Sequence, residues 1–188
     1  MATLPESATP PTPDRRRKLA DRIRELGLSH FRPHEFFVGM GAVRNGVRNG
    51  FPPRRLWDNV IPTAMVADIA RQRVGCPIEI TSAYRHEGYN EVVGGADQSQ
   101  HLAFRALDLV PRNGKVQRLF DILEDMHGDE VQLPVQIAPA EGPAPANYGK
   151  QGLSIEPGGF RFKGGLGLYL NEGFVHIDTR GRKARWGV

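Results

Sequence analysis

A histidine and an aspartate alternate with aliphatic residues in a short segment close to the C-terminal end of the chain. Strand periodicity places Val175 and Ile177 on one face of residues 174–178, and His176 and Asp178 on the opposite face. The aliphatic pair suits a hydrophobic core, so His176 and Asp178 would project from the other side of a sheet, where a cleft could lie. Neutral imidazole and carboxylate are both suitable ligands for zinc.

Another aspartate lies in residues 105–110, a segment that is also predicted to be a strand. Alternation places Asp108 beside Ala106 and opposite Leu107 and Leu109. A carboxylate among apolar neighbours must be paired or bound to a metal, because burying it alone is costly. Periodicity alone leaves two alternatives open. A lone histidine among aliphatic residues is more often a hydrogen-bonded core residue, and a lone aspartate can be a salt-bridge partner.

Composition narrows the kinds of site and partner that the chain can have. Its 188 residues suit one domain with a sizeable core. The single cysteine, Cys76, excludes an internal disulfide and a CxxC zinc site, so a metal would need histidine and carboxylate ligands. The net charge of +4 permits an anionic partner. Because no aromatic-rich RNA-binding signature accompanies the basic residues, we expect no nucleic-acid partner.

The elements that would position these residues follow from apolar periodicity and turn residues. They are helices at 15–26, 54–74 and 116–126, strands at 78–82 and 105–110, and a terminal hairpin at 166–178 with a turn at Asn171-Glu172-Gly173. Pro62 must lie in the first turn of the second helix, which favours a later start. The proline-rich residues 1–14 are predicted to be a disordered tail ahead of a single domain at 15–188. Residues 129–165, rich in proline and glycine, are a predicted insertion that could form a substrate lid.

A series of short motifs carries a resemblance to a known family. In chain order they are Thr81-Ser-Ala-Tyr-Arg85, Ser99-Gln-His101, Ala106-Leu-Asp108, Gly165-Leu-Gly-Leu-Tyr169, Phe174-Val-His-Ile-Asp178 and Ala184-Arg-Trp186. The series resembles the zinc D-alanyl-D-alanine carboxypeptidase and murein endopeptidase family, particularly its small bacterial and phage members. The resemblance covers residues 28–127 and 164–186. Several linked motifs in one order make it specific.

The resemblance implies a fold, a zinc site and roles for the residues around it. The fold is an α+β domain in which a small, mostly antiparallel sheet carries the zinc on one face and helices pack on the other. The metal ligands fall on His101, Asp108 and His176, which would hold one zinc per chain and leave a position open for water. Arg85 matches the arginine that holds the substrate or polarises its carbonyl. The other predicted substrate-binding residues are Ser82 and Tyr84, which set Arg85, and Ser99 and Gln100, which line the approach to His101.

Two departures from the family pattern bear on catalysis. Where relatives have glycine three residues after the first histidine, this chain has Phe104, a bulky group expected close to the site. Many relatives place a Glu or His general base two or three residues before the last ligand, where this chain has Phe174 and Gly173. Asp178 is the predicted substitute, either as the base or as a group that orients a ligand, and Glu172 is the less favoured candidate.

The sequence therefore predicts a monomeric zinc metallopeptidase that hydrolyses D-alanine-containing stem peptides or cross-links of peptidoglycan. The alternative is a non-catalytic zinc-containing domain that binds the wall or forms part of a phage particle. The sequence shows neither a signal peptide nor an apolar stretch of about 18 residues. After synthesis in the cytoplasm, delivery to the cell wall would need lysis, a phage particle or a dedicated secretion system.

Overall fold

The computed structural model describes residues 11–133 and 159–187, and within these ranges the chain has an α+β fold. Its α-helices are α1 (Pro13–Arg24), α2 (Val60–Val74), α3 (Glu87–Val92) and α4 (Val116–Asp125), with 3-10 helices at Pro33–Phe37 and Arg54–Asn59. Its strands are β1 (Val43–Arg44), β2 (Val47–Arg48), β3 (Ile78–Ser82), β4 (Ala106–Pro111), β5 (Glu130–Gln132), β6 (Gly159–Arg161), β7 (Gly165–Tyr169), β8 (Phe174–Asp178) and β9 (Ala184–Trp186). None of the described helices has the length and apolar character needed to cross a membrane.

Five strands form the central sheet in the order β3-β4-β8-β7-β9. Neighbouring strands are antiparallel except at one edge, where β9 pairs with β7 in parallel. The register aligns one residue from each strand in a row across the sheet: Ser82, Asp108, His176, Gly167 and Trp186. We call this set the cross-strand row. Since directly opposed residues share a face of the sheet, the row places Asp108 and His176 side by side.

The opposite face of the sheet belongs to the hydrophobic core. Leu107, Val175 and Ile177, which alternate with the polar residues of their strands, are fully buried. Helices α2 and α4 pack against the sheet and against each other. In α4, Leu119 and Leu123 are buried four residues apart on one helical face. The predicted α+β fold, with a mostly antiparallel sheet and packed helices, is confirmed.

Two helix boundaries differ from those that the sequence predicted. Helix α1 begins at Pro13, inside the range 1–14 predicted to be disordered, so that boundary was wrong. The helix can start there because the Thr12 side chain accepts a hydrogen bond from a backbone amide of the first turn. The predicted helix 54–74 divides into a 3-10 helix and α2. This division puts Pro62 in the first turn of α2, where a missing amide hydrogen breaks no helical hydrogen bond.

Short strands appear in segments that have no clear periodic pattern. Residues 39–53, for which no helix or strand was predicted, contain the hairpin of β1 and β2, whose turn residues Asn45 and Gly46 have φ values of 47° and 77°. Both angles are positive, as a two-residue type I′ turn requires. Strands β5 and β6 pair with each other at the two ends of the predicted insertion. Most of that insertion, and with it the predicted lid, falls on residues 134–158, which lie outside the described residues.

Candidate metal centre

Three buried side chains converge on one point of the polar face of the sheet. Asp108 and His176 are neighbours in the cross-strand row, and His101 reaches them from the turn that precedes β4. The Oδ1 atom of Asp108 lies 3.2 Å from Nε2 of His101 and 2.9 Å from Nδ1 of His176. One ligand atom from each residue falls within 4.8 Å of the other two, so the group could hold a metal ion. Two imidazoles and a carboxylate are a donor set that fits zinc.

The ring of His101 is anchored through the nitrogen that faces away from Asp108. Its Nδ1 lies 2.6 Å from the carbonyl oxygen of Ala83. Because a carbonyl oxygen only accepts, Nδ1 carries the proton and Nε2 is left as a ligand. The backbone of the same turn is tied to the segment after β3, since the Arg85 amide donates to the His101 carbonyl at 3.2 Å.

The ring of His176 is anchored in a similar way by a carboxylate. Its Nε2 lies 3.2 Å from Oδ2 of Asp178, two residues further along β8. An acceptor behind the imidazole fixes the ring orientation and the tautomer, as is usual for metal-binding histidines. In each histidine one ring nitrogen is used by the anchoring contact, and the other nitrogen faces Asp108. The nitrogens that face Asp108 are Nε2 of His101 and Nδ1 of His176.

Burial and mutual contacts set the protonation of the three candidate ligands. Burial lowers the pKa of His101 in spite of the nearby Asp108 charge, which favours the neutral imidazole. Burial also acts to lower the pKa of His176, but hydrogen bonds to Asp108 and Asp178 outweigh it and raise the pKa to about 9. Burial opposes ionisation of Asp108, yet the charges and hydrogen bonds of the two histidines lower its pKa. A metal at Nδ1 of His176 would thus displace a proton.

The second oxygen of Asp108 is held by Arg85. Nη2 of Arg85 donates to Oδ2 of Asp108 at 2.7 Å, and Nε donates to the Ser82 hydroxyl at 2.9 Å. Ser82 is itself the neighbour of Asp108 in the cross-strand row. Among the residues that the structure describes, Nη1 of Arg85 has no hydrogen-bond partner. The guanidinium thus fixes the carboxylate with one side and keeps one terminal nitrogen for another group.

Asp178 is enclosed by donors of the protein itself. Its Oδ1 accepts hydrogen bonds from the Gly165 and Arg180 amides, each at 3.0 Å. The Arg180 guanidinium contacts both oxygens, at distances down to 2.6 Å. Burial opposes its ionisation, but the bonds from His176 and Arg180 lower the pKa of Asp178. With its side chain fully buried, Asp178 faces His176 and Arg180 rather than an open cleft.

The other predicted site residues have different surroundings. The Tyr84 ring is buried in the hydrophobic core, so its contribution would come through the segment that carries Arg85. Ser99 and Gln100 are half-buried, and their carbonyls accept backbone hydrogen bonds within the turn around His101. Glu172 is exposed in the turn between β7 and β8. Substrate binding by Tyr84, Ser99 and Gln100 stays a prediction.

Phe104 lies beside the site through its backbone, whose amide donates to the His101 carbonyl at 3.1 Å, while its ring points into the hydrophobic core. Its ring is fully buried and packs edge-on against Tyr84, with 6.0 Å between the ring centroids. The φ angle of Phe104 is 53°, in the left-handed region that favours glycine. This conformation gives a physical reason for the glycine of the relatives, and the buried ring shows what the bulky residue contributes here.

The indole of Trp186 flanks His176, and no sequence pattern predicted a role for it. The Trp186 ring lies 5.2 Å from the His176 ring, measured between centroids, and the Arg180 guanidinium lies 5.3 Å above the Trp186 ring. A Cβ atom at Gly165 or Gly167 would collide with the indole. Glycines alternating in a strand are the available signal, because they often mark a close approach by another group.

Comparison with known families identifies a family whose model covers part of the candidate site. A family model described as Peptidase M15 matches residues 29–136, more than half of the chain. The match includes His101 and Asp108 and ends before His176. Searches of curated proteins and of solved structures gave no match.

Proposed function

Since this chain belongs to the peptidase M15 family, we propose that it is a zinc peptidase that hydrolyses D-alanine-containing peptide bonds of peptidoglycan. The family itself implies a metallopeptidase that acts on substrates of the peptidoglycan type. The main support for zinc-dependent hydrolysis is the convergence of His101, Asp108 and His176. Each imidazole is also held by an acceptor on the side away from Asp108.

In this proposal the ligands are Nε2 of His101, Oδ1 of Asp108 and Nδ1 of His176, with one zinc per chain. When bound, zinc would lower the pKa of a water molecule and polarise the scissile carbonyl. The chain's own residues prepare the site. Ala83 and Asp178 fix the two imidazoles, and Arg85 fixes the carboxylate.

Arg85 is proposed to bind the substrate as well. Its Nη1 has no hydrogen-bond partner among the described residues, and the Arg85 side chain is 20% exposed to solvent. A guanidinium grips a carboxylate strongly through charge-assisted hydrogen bonds. This favours a substrate with a free D-alanine carboxylate near the cleaved bond, although hydrolysis within a cross-link uses the same chemistry. In either case water adds to the carbonyl carbon, the C–N bond breaks, and the leaving amine takes a proton.

For Asp178 we propose the role of orienter rather than general base. Both of its oxygens are already engaged by Gly165, His176 and Arg180. Glu172 lies in the turn before β8, outside the strand that carries His176 and Asp178. The exposed turn position of Glu172 therefore gives it little support as the base.

A non-catalytic zinc domain that binds the wall is the second candidate. It is favoured by Phe174 and Gly173, which stand where many relatives have a Glu or His base. Such a domain would bind peptidoglycan sacculi without releasing soluble peptide products. The engagement of Arg85 with the same carboxylate that faces both histidines supports the enzyme instead.

The deciding experiment is incubation of the purified protein with peptidoglycan, with and without a chelator, followed by mass spectrometry of the released products. Release of D-alanine would identify a carboxypeptidase, and conversion of dimeric to monomeric muropeptides an endopeptidase. His101→Ala should abolish the release of products. His34→Ala, which changes an exposed histidine in the 3-10 helix Pro33–Phe37, should not. Binding to sacculi without any product would refute the peptidase and support the second candidate.

A further inference from the structure

An aromatic pair lies beside the candidate metal ligands on the polar face of the sheet. Phe174 lies two residues before His176, on the same face of β8, and cannot exchange a proton. Its ring stacks on that of Tyr169, its partner in β7, with 4.3 Å between centroids and 11° between planes. Tyr169 therefore brings a hydroxyl group to the rung of the sheet next to the candidate metal ligands.

A glycine lets this tyrosine approach the cross-strand row. Gly167 pairs directly with His176 and lies two residues before Tyr169 on the same face. A Cβ atom at Gly167 would lie 2.9 Å from Cε2 of Tyr169. The Tyr169 ring thus leans over the space that a side chain at Gly167 would fill, toward His176.

The hydroxyl of Tyr169 is oriented by Trp186. Nε1 of Trp186 lies 2.8 Å from this hydroxyl, and the indole ring also flanks the His176 ring. An indole N–H can only donate, so the phenolic oxygen accepts and its own hydrogen stays available to a third group. Trp186 is in turn covered by Arg180, which is held by Asp178. The hydroxyl is therefore one hydrogen bond away from a ring that contacts His176.

We infer that Tyr169 is a catalytic residue whose phenolic hydroxyl donates a hydrogen bond to the carbonyl oxygen of the scissile peptide bond. The inference rests on the proposed function. As water adds to the carbonyl carbon, negative charge develops on this oxygen, and a preoriented donor stabilises it most at that stage. Arg85 flanks the site from the β3 side and Tyr169 from the β7 side. The two residues would thus hold the substrate from opposite ends of the cross-strand row, Arg85 through the substrate carboxylate and Tyr169 through the reacting carbonyl.

Tyr169→Phe tests this role because it removes only the hydroxyl and keeps the stacking on Phe174. With zinc-loaded protein and a synthetic stem peptide, we expect kcat to fall by about 10²–10³, the usual effect of losing one such donor, with KM and zinc content unchanged. A phosphinic analogue of the cleaved bond mimics the tetrahedral stage. It should bind the variant more weakly by a similar factor, whereas the peptide product should bind equally well. Tyr89→Phe, in helix α3 outside the central sheet, is the matched control.

The outcomes separate this inference from the proposed function. An unsubstituted protein without hydrolytic activity would overturn the proposed function and the role of Tyr169 with it. An active protein whose Tyr169→Phe variant keeps kcat within about threefold, or loses activity only through KM or zinc, would overturn the role of Tyr169 alone. If that variant does not fold, Trp186→Phe decides the matter, since it keeps the phenol and removes the N–H that orients it. An unchanged kcat and unchanged affinity for the phosphinic analogue would then refute the inference.

Discussion

Replacing Asp178 by asparagine distinguishes an orienting group from a general base. In the native protein, Oδ1 accepts from the Gly165 and Arg180 amides, while Oδ2 accepts from Nε2 of His176. An asparagine has one oxygen and one NH2 group at these two positions. The two backbone donors retain the oxygen, so the NH2 group would face Nε2 of His176 and would also lose the hydrogen bond from Nη2 of Arg180. A donor there favours the tautomer with Nε2 unprotonated and the proton on Nδ1, which is the proposed ligand atom.

The expected result of Asp178→Asn is therefore a loss of zinc affinity. Loss of an outer hydrogen-bond partner typically weakens metal binding by about 10–100-fold, which corresponds to roughly 1.4–2.7 kcal/mol. Activity at limiting zinc should fall by a similar factor and recover partly when zinc is raised. The measurement is a competition titration against a chromogenic chelator, accompanied by circular dichroism to confirm that the variant is folded.

A different pattern would refute this reasoning. If Asp178 is the general base, kcat should fall by about 10²–10⁴ at saturating zinc while zinc affinity stays at the native value. Near-native zinc affinity together with near-native turnover would remove Asp178 from both roles. Asp125→Asn, an exposed aspartate at the end of α4, is a control for the change of charge alone.

The other predictions concern metal content, Arg85 and Phe104. Elemental analysis should find about one zinc per chain, and His101→Ala or His176→Ala should lose it; a native protein without stoichiometric metal would refute the site. Arg85→Lys should lower kcat/KM by at least about tenfold, because an ammonium cannot span Ser82 and Asp108 as the guanidinium does. Phe104→Gly should relieve about 1–2 kcal/mol of backbone strain but lose about 3–5 kcal/mol of ring packing. Chemical denaturation should therefore show a net decrease in stability, and an increase would contradict the importance of the buried ring.

Alternation in β4 and β8 was sufficient to mark two of the three converging residues as candidates, but not to choose between a metal site and a paired core residue. Asp108 and His176 each stand in a strand whose other face is aliphatic, and that pattern is local. His101 could not be found in this way, because it lies in a turn, where side-chain direction follows no period. Only the resemblance to a family of zinc peptidases marked it. A contact between Asp108 and His176 also depends on strand register, which no local pattern specifies.

Strand β9 is a second feature that could not be predicted from local sequence patterns. Its three residues are too few for a periodic signal, and no motif predicted a strand there. In the structure, Lys183 and Arg185 both pair with Glu124 of α4, and this contact fixes β9 beside β7. These two basic residues thus help to place Trp186 next to His176.

The distribution of charge around the candidate ligands would leave a bound cation largely uncompensated. Each buried carboxylate has its own arginine, Arg85 for Asp108 and Arg180 for Asp178, at 2.7 Å and 2.6 Å. The four charges sum to zero, so with neutral histidines nothing in this group would offset the charge of a divalent ion. An uncompensated ion in a buried site polarises a carbonyl more strongly than one neutralised by its ligands. It also attracts a substrate carboxylate, which is the group that the free side of Arg85 is suited to bind.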